Sequence, residues 1–260
     1  MRKLKISKGL FKKTYKIIIN QINLGCVVLK ILITGATRAG KSTLIRTLTN
    51  GKSISVDKHG TTVALDHGVI TVRGIKLYLF GTPGLEHFSV LRKILSEGAD
   101  GIIFVVDSED RSNDNLAKLV WREIASLAPA VPCIVAANKQ DKANARKPSE
   151  LRRDLKFLSG VPIIPTSAKD NFNLNVLVNS MLTILIGELS PLLKKIEKYS
   201  DVKEGIRKVM DDMKLDYEKI KSYLNWLEYR ELVEVDWEKG SYSMRRELKE
   251  LLDAESPPIF

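Results

Sequence analysis

Leu29-Lys30-Ile31-Leu32-Ile33-Thr34-Gly35-Ala36-Thr37-Arg38-Ala39-Gly40-Lys41-Ser42-Thr43 is the stretch that decides the fold. A short apolar run rich in β-branched residues stops at a glycine, and Gly35 to Ser42 fits the pattern G-x-x-x-x-G-K-S/T directly ahead of an amphipathic stretch. The glycines permit the tight turn. Backbone N–H groups from Arg38 through Ala39, Gly40, Lys41 and Ser42 to Thr43 can ring phosphate oxygens at a helix N-terminus, Lys41 can reach the β- and γ-phosphates, and the Ser42 hydroxyl can ligate Mg²⁺. By itself the motif indicates a nucleoside triphosphate and no more.

Outward from it, short β-branched runs alternate with amphipathic stretches, the pattern of a mostly parallel sheet with crossover helices. Strands are expected at 29–34, 63–72, 76–80, 101–106, 132–137 and 162–165, and helices near 42–49, 86–97, 113–127, 149–159 and 174–187. Arg73-Gly74 reads as a hairpin turn between the second and third strands. The expectation is one α/β domain with a six-stranded, mostly parallel sheet over residues 29–190.

Asn138-Lys139-Gln140-Asp141 follows the fifth expected strand, and Thr166-Ser167-Ala168-Lys169 follows the sixth. Strand C-terminal ends are where open α/β sheets bind ligands. With these in place the chain resembles the Ras-like small GTPases, whose N-K-x-D and S-A-K motifs they match. The resemblance implies that Asp141 accepts hydrogen bonds from guanine, that Asn138 and Lys139 brace the base site, and that Ala168 N–H, between Ser167 and Lys169, meets the guanine carbonyl. Thr62-Val63-Ala64-Leu65-Asp66-His67-Gly68 is similar to the T-I-G-V-D-F-G of Rab-type members. That similarity makes Thr62, rather than Thr61, the residue that completes the Mg²⁺ shell and senses the γ-phosphate. Phe80-Gly81-Thr82-Pro83-Gly84-Leu85-Glu86 aligns with W-D-T-A-G-Q-E, so that Gly84 N–H would bond the γ-phosphate. The implied ligands are GTP or GDP with Mg²⁺ held by Ser42 and Thr62, and the implied activity is GTP hydrolysis involving Lys41, Thr62 and Gly84.

Two departures bear on that chemistry. Gly81 stands where the family has the Asp that holds a metal-bound water. Leu85 stands where it has the Gln that orients the attacking water, and a leucine can neither donate nor accept a hydrogen bond. Slow hydrolysis is expected, and a pseudo-GTPase with structural nucleotide is the alternative these two positions raise. The G-T-P-G sequence is also similar to a prokaryotic branch of the superfamily whose members often work with small roadblock-fold partner proteins. Arg38 reads more readily as a solvated loop side chain than as a finger in cis, and Glu86 and His87 as solvent-facing groups at a helix start.

Formal charge divides the chain of 260 residues, which carries +11 overall. Residues 1–30 hold eight basic and no acidic side chains, residues 31–190 carry +5, and residues 191–260 carry −2. Residues 1–28 therefore form a basic extension whose Lys and Ile/Leu/Phe mixture over 1–20 suits an anionic membrane surface if helical. Cys26 and Cys133 lack metal-site spacing, and reduced thiols in a cytoplasmic protein, with peripheral membrane contact through 1–20, are expected. The apolar run at 27–34 is broken by Lys30, so no membrane crossing is expected.

Residues 191–260 show helical spacing at Ile206, Val209, Met210 and Met213 and again at Ile220, Tyr223, Leu224 and Leu227, then alternation at 232–236 and a turn at 238–240. Helix, helix, hairpin and final helix are similar to a winged helix-turn-helix with 217–229 in the recognition position. Duplex binding requires phosphate neutralisation, which a segment of −2 supplies poorly. A regulator or effector protein is therefore the favoured partner, and a GTP-controlled DNA-binding regulator the alternative.

Overall fold

The computed structural model describes residues 28–53, 57–58, 61–62, 66–84 and 89–253. The basic extension over 1–27, Leu85, Glu86 and His87 lie outside the described residues, and of Thr62 only the backbone is described. The sheet is built from β1 (Val28–Thr34), β4 (Asp66–Val72), β5 (Ile75–Gly81), β6 (Gly101–Asp107), β7 (Cys133–Asn138) and β8 (Ile163–Pro165), in the spatial order β4-β5-β1-β6-β7-β8. β5, β1, β6, β7 and β8 run parallel, and β4 is the antiparallel edge. Two short strands, β2 (Asp57–Lys58) and β3 (Thr61–Thr62), pair with each other ahead of β4.

The hydrophobic code of the strands explains the layers. On β1, Leu29, Ile31 and Ile33 enter one apolar cluster while Leu32 enters the other, as successive side chains must in a pleated strand. β6 divides likewise, Ile103 and Val105 against Ile102, Phe104 and Val106. Both faces are covered, which is why these strands read as continuous apolar runs. One face receives α1 (Lys41–Leu48) and α5 (Leu174–Lys198), and the other receives α2 (Ser89–Ser96), α3 (Asp114–Leu127) and α4 (Pro148–Asp154). The hairpin expected at Arg73-Gly74 joins β4 to β5, with φ of 48° and 78° at the two residues, the mirror-image turn that suits strand twist. The helix expected over 149–159 ends instead at Asp154 and continues as a 3₁₀ turn, Lys156–Leu158.

Helix α5 differs from the sequence expectation. Its end was expected at Gly187, with Pro191 beyond it, yet the helix runs unbroken to Lys198 with Pro191 inside. Proline deprives one carbonyl of its helical donor. Burial on both sides of the proline outweighs that loss: Leu182, Leu185 and Ile186 pack in the sheet core, and Leu193 and Ile196 pack among the C-terminal elements. Each fully buried leucine or isoleucine contributes about 1.5–3 kcal/mol, enough that a pair offsets an interior proline costing about 3 kcal/mol. By length and apolar composition α5 also passes for a membrane-crossing helix, but these buried side chains place its apolar face in the protein core.

The boundary expected at 190/191 thus falls within one helix. Beyond it come α6 (Gly205–Met213), α7 (Tyr217–Tyr229), an antiparallel hairpin of β9 (Val233–Asp236) and β10 (Ser241–Met244), and α8 (Arg246–Asp253), in the expected order. Ile206, Leu224, Tyr242 and Leu248 of these elements belong to the same apolar cluster as β1 and α5.

Candidate functional site

The turn after β1 takes its shape from backbone that only small residues tolerate. Gly35 has φ +141° and Gly40 φ +97°, and a Cβ on them would fall 2.2 Å from the Val105 carbonyl oxygen and 2.2 Å from Asn138 Nδ2 respectively. Arg38 also takes a left-handed φ of 59°, and its side chain is exposed. Gly40 caps α1, whose first turn carries no acidic residue, leaving the positive end of the helix open to an anion. Lys41 is buried, and its Nζ donates to the carbonyls of Gly35 at 2.9 Å and Ala36 at 2.7 Å. Burial pushes its pKa down to about 7; the Asp66 carboxylate opposes that shift and the Arg92 guanidinium adds to it.

Asn138 joins all three candidate loops. Its Nδ2 donates to the Ala39 carbonyl at 2.9 Å, and its Oδ1 accepts from Ala168 N–H at 2.9 Å. Thr47 of α1 adds a bond from Oγ1 to the Ala168 carbonyl at 2.8 Å. Ser167 Oγ donates to Asp141 Oδ1 at 2.9 Å, fixing the carboxylate, and Gln140 N–H bonds the Thr166 carbonyl at 3.0 Å. Lys139 has a left-handed φ of 70° and reaches Asp107 Oδ2 at 2.5 Å. Lys169 is exposed at the rim, and Ser42 and Thr43 are half-buried in the first turn of α1.

On the other flank, Thr82 N–H bonds the Ile33 carbonyl at 2.9 Å and its hydroxyl meets Thr34 Oγ1 at 2.8 Å, which brings the following glycine against the phosphate-type loop. A Cβ on Gly84 would lie 2.4 Å from Thr37 N and 2.6 Å from Lys41 Nζ, so the close approach requires glycine. Sequence reasoning missed four contributors. Asp107 accepts from Lys139 and from the N–H groups of Glu109 and Asp110. Arg146, 2% exposed, binds the carbonyls of Asp107 and Ser108 and both oxygens of Asp114, so that it ties the end of β6 to α3 beneath the 138–141 loop. Arg92 and the buried Asp66 are the others. Asp66 sits in the quoted Thr62-to-Gly68 run, but only strand register could reveal what it faces.

Among the described residues there is no cluster of three or more His, Cys, Asp or Glu side chains able to hold a metal unaided. Mg²⁺ does not need one, since it commonly takes one or two protein oxygens with phosphates and waters. The Ser42 hydroxyl and the buried Oδ1 of Asp66, which has no partner among the described residues, are hard oxygen donors of that kind, so the residues present fit the ion.

Residues 30–139 match the family model described as 50S ribosome-binding GTPase. The chain is 31% identical over 150 residues to the Ras-related protein RABD1 of Arabidopsis thaliana, an alignment covering 55% of this chain and 72% of that protein. It is 29% identical over 165 residues to the Ras-related protein Rab-40B of Mus musculus, covering 61% of this chain and 58% of that one. A 25% identity over 195 residues with translation initiation factor IF-2 of Thermosipho africanus covers 72% of this chain but 26% of the factor.

Proposed function

The chain belongs to the Ras-related P-loop GTPases, and on that premise we propose that it is a guanine-nucleotide switch that hydrolyses GTP slowly and signals through its switch loops and its C-terminal elements. The observation that carries this reading is Asn138, which holds the phosphate-type loop and the Ser167-Ala168 loop together at 2.9 Å each, with Asp141 oriented by Ser167 beside them. A carboxylate so placed suits the N1 and exocyclic amine of guanine and offers adenine nothing. Lys41 meets the β- and γ-phosphates, and Gly84 N–H lies against the same loop to sense the γ-phosphate. Ser42 and Thr62 would hold Mg²⁺, which when bound would supply positive charge against the phosphate oxygens. Loss of the γ-phosphate would then release the loop that Gly84 begins.

Slowness follows from Leu85, which cannot orient a water. The purified protein should turn over bound GTP more slowly than about 3–5 × 10⁻⁴ per second, the unassisted rate of a Ras protein that keeps the water-orienting Gln. Single-turnover measurement checks this, with Leu85→Gln expected to accelerate it. Rapid turnover by the unassisted wild type would sink the slow-switch reading, and bound nucleotide that never exchanges would turn it into a pseudo-GTPase.

We read the C-terminal elements as a winged-helix-like interaction module that engages a regulator or effector protein, with a roadblock-fold partner the one the sequence resemblance favours. Its cations support protein over DNA. On α7, Lys219 pairs with Asp216 and Lys221 lies over the Tyr217 ring, and just past it Arg230 is engaged by Asp100. The basic extension is proposed to add contact with an anionic membrane.

A further inference from the structure

Gly81, the last residue of β5, occupies the position where related proteins carry the carboxylate that serves the metal's water shell. Its register partner across the antiparallel pair is Asp66, the first residue of β4. The Asp66 side chain is 3% exposed, and its Oδ1 has no hydrogen-bond partner among the described residues. A buried carboxylate oxygen lacking a donor is costly unless something else satisfies it. A Cβ built on Gly81 would lie 2.9 Å from Asp66 Cβ and 3.3 Å from Asp66 Oδ2. Any side chain at 81 and the present Asp66 side chain would therefore compete for one volume, and the absence of the first makes room for the second.

The surroundings fix where that volume lies. Thr82 pins the end of β5 to Ile33 and Thr34, the residues that lead into the Gly35–Ser42 loop. Ile45 of α1, one turn beyond Lys41, closes the other side, its Cδ1 2.8 Å from the same built Cβ. Asp66 is also the carboxylate whose charge favours the ammonium form of Lys41.

We propose that Asp66 supplies to the Mg²⁺ shell the carboxylate that Gly81 lacks, the acid having moved across one register pair from β5 to β4. The Gly81/Asp66 pair is then a matched exchange, with Asp66 joining the Ser42 hydroxyl as an oxygen donor for the ion. The proposal rests on the GTPase reading.

Release of a fluorescent GDP analogue from the full chain, measured in EDTA and at graded free Mg²⁺, tests it. Asp66→Asn should need roughly 10- to 100-fold more free Mg²⁺ for the same slowing of release, the range typical of groups that orient a metal's shell, with release in EDTA little changed. A carboxylate that merely balances Lys41 would alter release equally with and without Mg²⁺, and that result overturns the proposal, as does an unchanged Mg²⁺ dependence. The double variant Asp66→Gly/Gly81→Asp should restore the wild-type Mg²⁺ dependence, because it returns the acid to β5 and frees its space. It decides the matter even if Asp66→Asn does not fold, since failure to restore the dependence also counts against the exchange. A wild type that retains no GDP analogue would instead overturn the GTPase reading itself.

Discussion

Lys41 concentrates the electrostatics of the site in one side chain. Its amine is enclosed by protein and bonded to two neutral carbonyls, so the charged form has lost its water with only the Asp66 carboxylate in partial compensation, and its pKa sits at about 7. A triphosphate exchanges those carbonyls for anionic oxygens and restores the charge. Nucleotide binding should therefore take up close to one proton at pH 8, where the amine as described is mostly neutral, and almost none at pH 6, where it is already protonated. Calorimetric titration with GDP in buffers of different ionisation enthalpy measures this directly, and buffer-independent heats at pH 8 would refute it. Before nucleotide enters, the same depressed pKa makes stability rise with pH between about 7 and the ordinary lysine value of 10.5, because only the unfolded chain holds that proton there. Lys41, Asn138 and Asp141 were legible from the sequence because each lies in a contiguous motif whose spacing is itself the chemistry. Asp66 was not, because its significance comes from the residue opposite it on another strand.

The helix after the 81–84 segment, α2, is held by a side chain that periodicity cannot flag. Arg92 is 1% exposed; its guanidinium donates to the Pro83 carbonyl at 3.1 Å and, through Nε and Nη2, to Glu123 Oε2 of α3 at 3.0 and 2.6 Å. One side chain thus fastens the start of the switch segment and the helix behind it to α3. Removing one partner of a buried ion pair strands the other. Arg92→Met should cost about 2–4 kcal/mol, below the full figure for a wholly buried pair because Glu123 keeps a quarter of its side chain in solvent. Urea unfolding measures it, and Arg92→Met/Glu123→Met should recover a large part of the loss. If the double variant is no more stable than the single, the pair is not the cause. Sequence pattern does find α2 within a few residues, but periodicity carries no signal that this arginine is buried.

Across the whole molecule, two of the contacts among the described residues that hold the C-terminal elements to the GTPase domain can be named residue by residue. The first is α5, whose buried face runs through both. The second is Arg230, just past α7, which donates to Asp100 Oδ1 at 2.7 Å and to the Gly98 carbonyl at 3.4 Å while its guanidinium lies 5.5 Å from the Trp226 and Tyr229 rings. Residues 98–100 lie between α2 and β6, so this contact joins the C-terminal elements to the segment that follows α2. Burial raises the Asp100 pKa even though Arg230, and behind it the Lys30 N–H, oppose the rise. In Arg230→Ala the main opposing charge is gone and the carboxyl is pushed further up. An acid whose folded pKa exceeds its unfolded value costs stability as pH climbs through the folded pKa, and that cost disappears when acid protonates it. The melting-temperature deficit of Arg230→Ala should accordingly be larger at pH 7.5 than at pH 5, with faster amide exchange at 98–100. A deficit independent of pH would assign the effect to lost packing on Trp226 and Tyr229 instead.

The sequence by itself determined the α/β class, the strand-end position of each nucleotide loop, the order of helices and hairpin after residue 200, and the two positions where the hydrolytic machinery departs from its relatives. All of these are local: a motif, a period or a turn is complete within a few residues, and its physics needs no distant partner. Tertiary structure alone decided that α5 continues through Pro191, because burial at both ends overrides a local helix breaker. It also decided that Asp66 faces Gly81, that Arg92 is a buried tie, and that Arg230 closes on Asp100. Each of these depends on strand register or on packing between segments far apart in the chain, where energies of a few kcal/mol are set by which groups exclude water together.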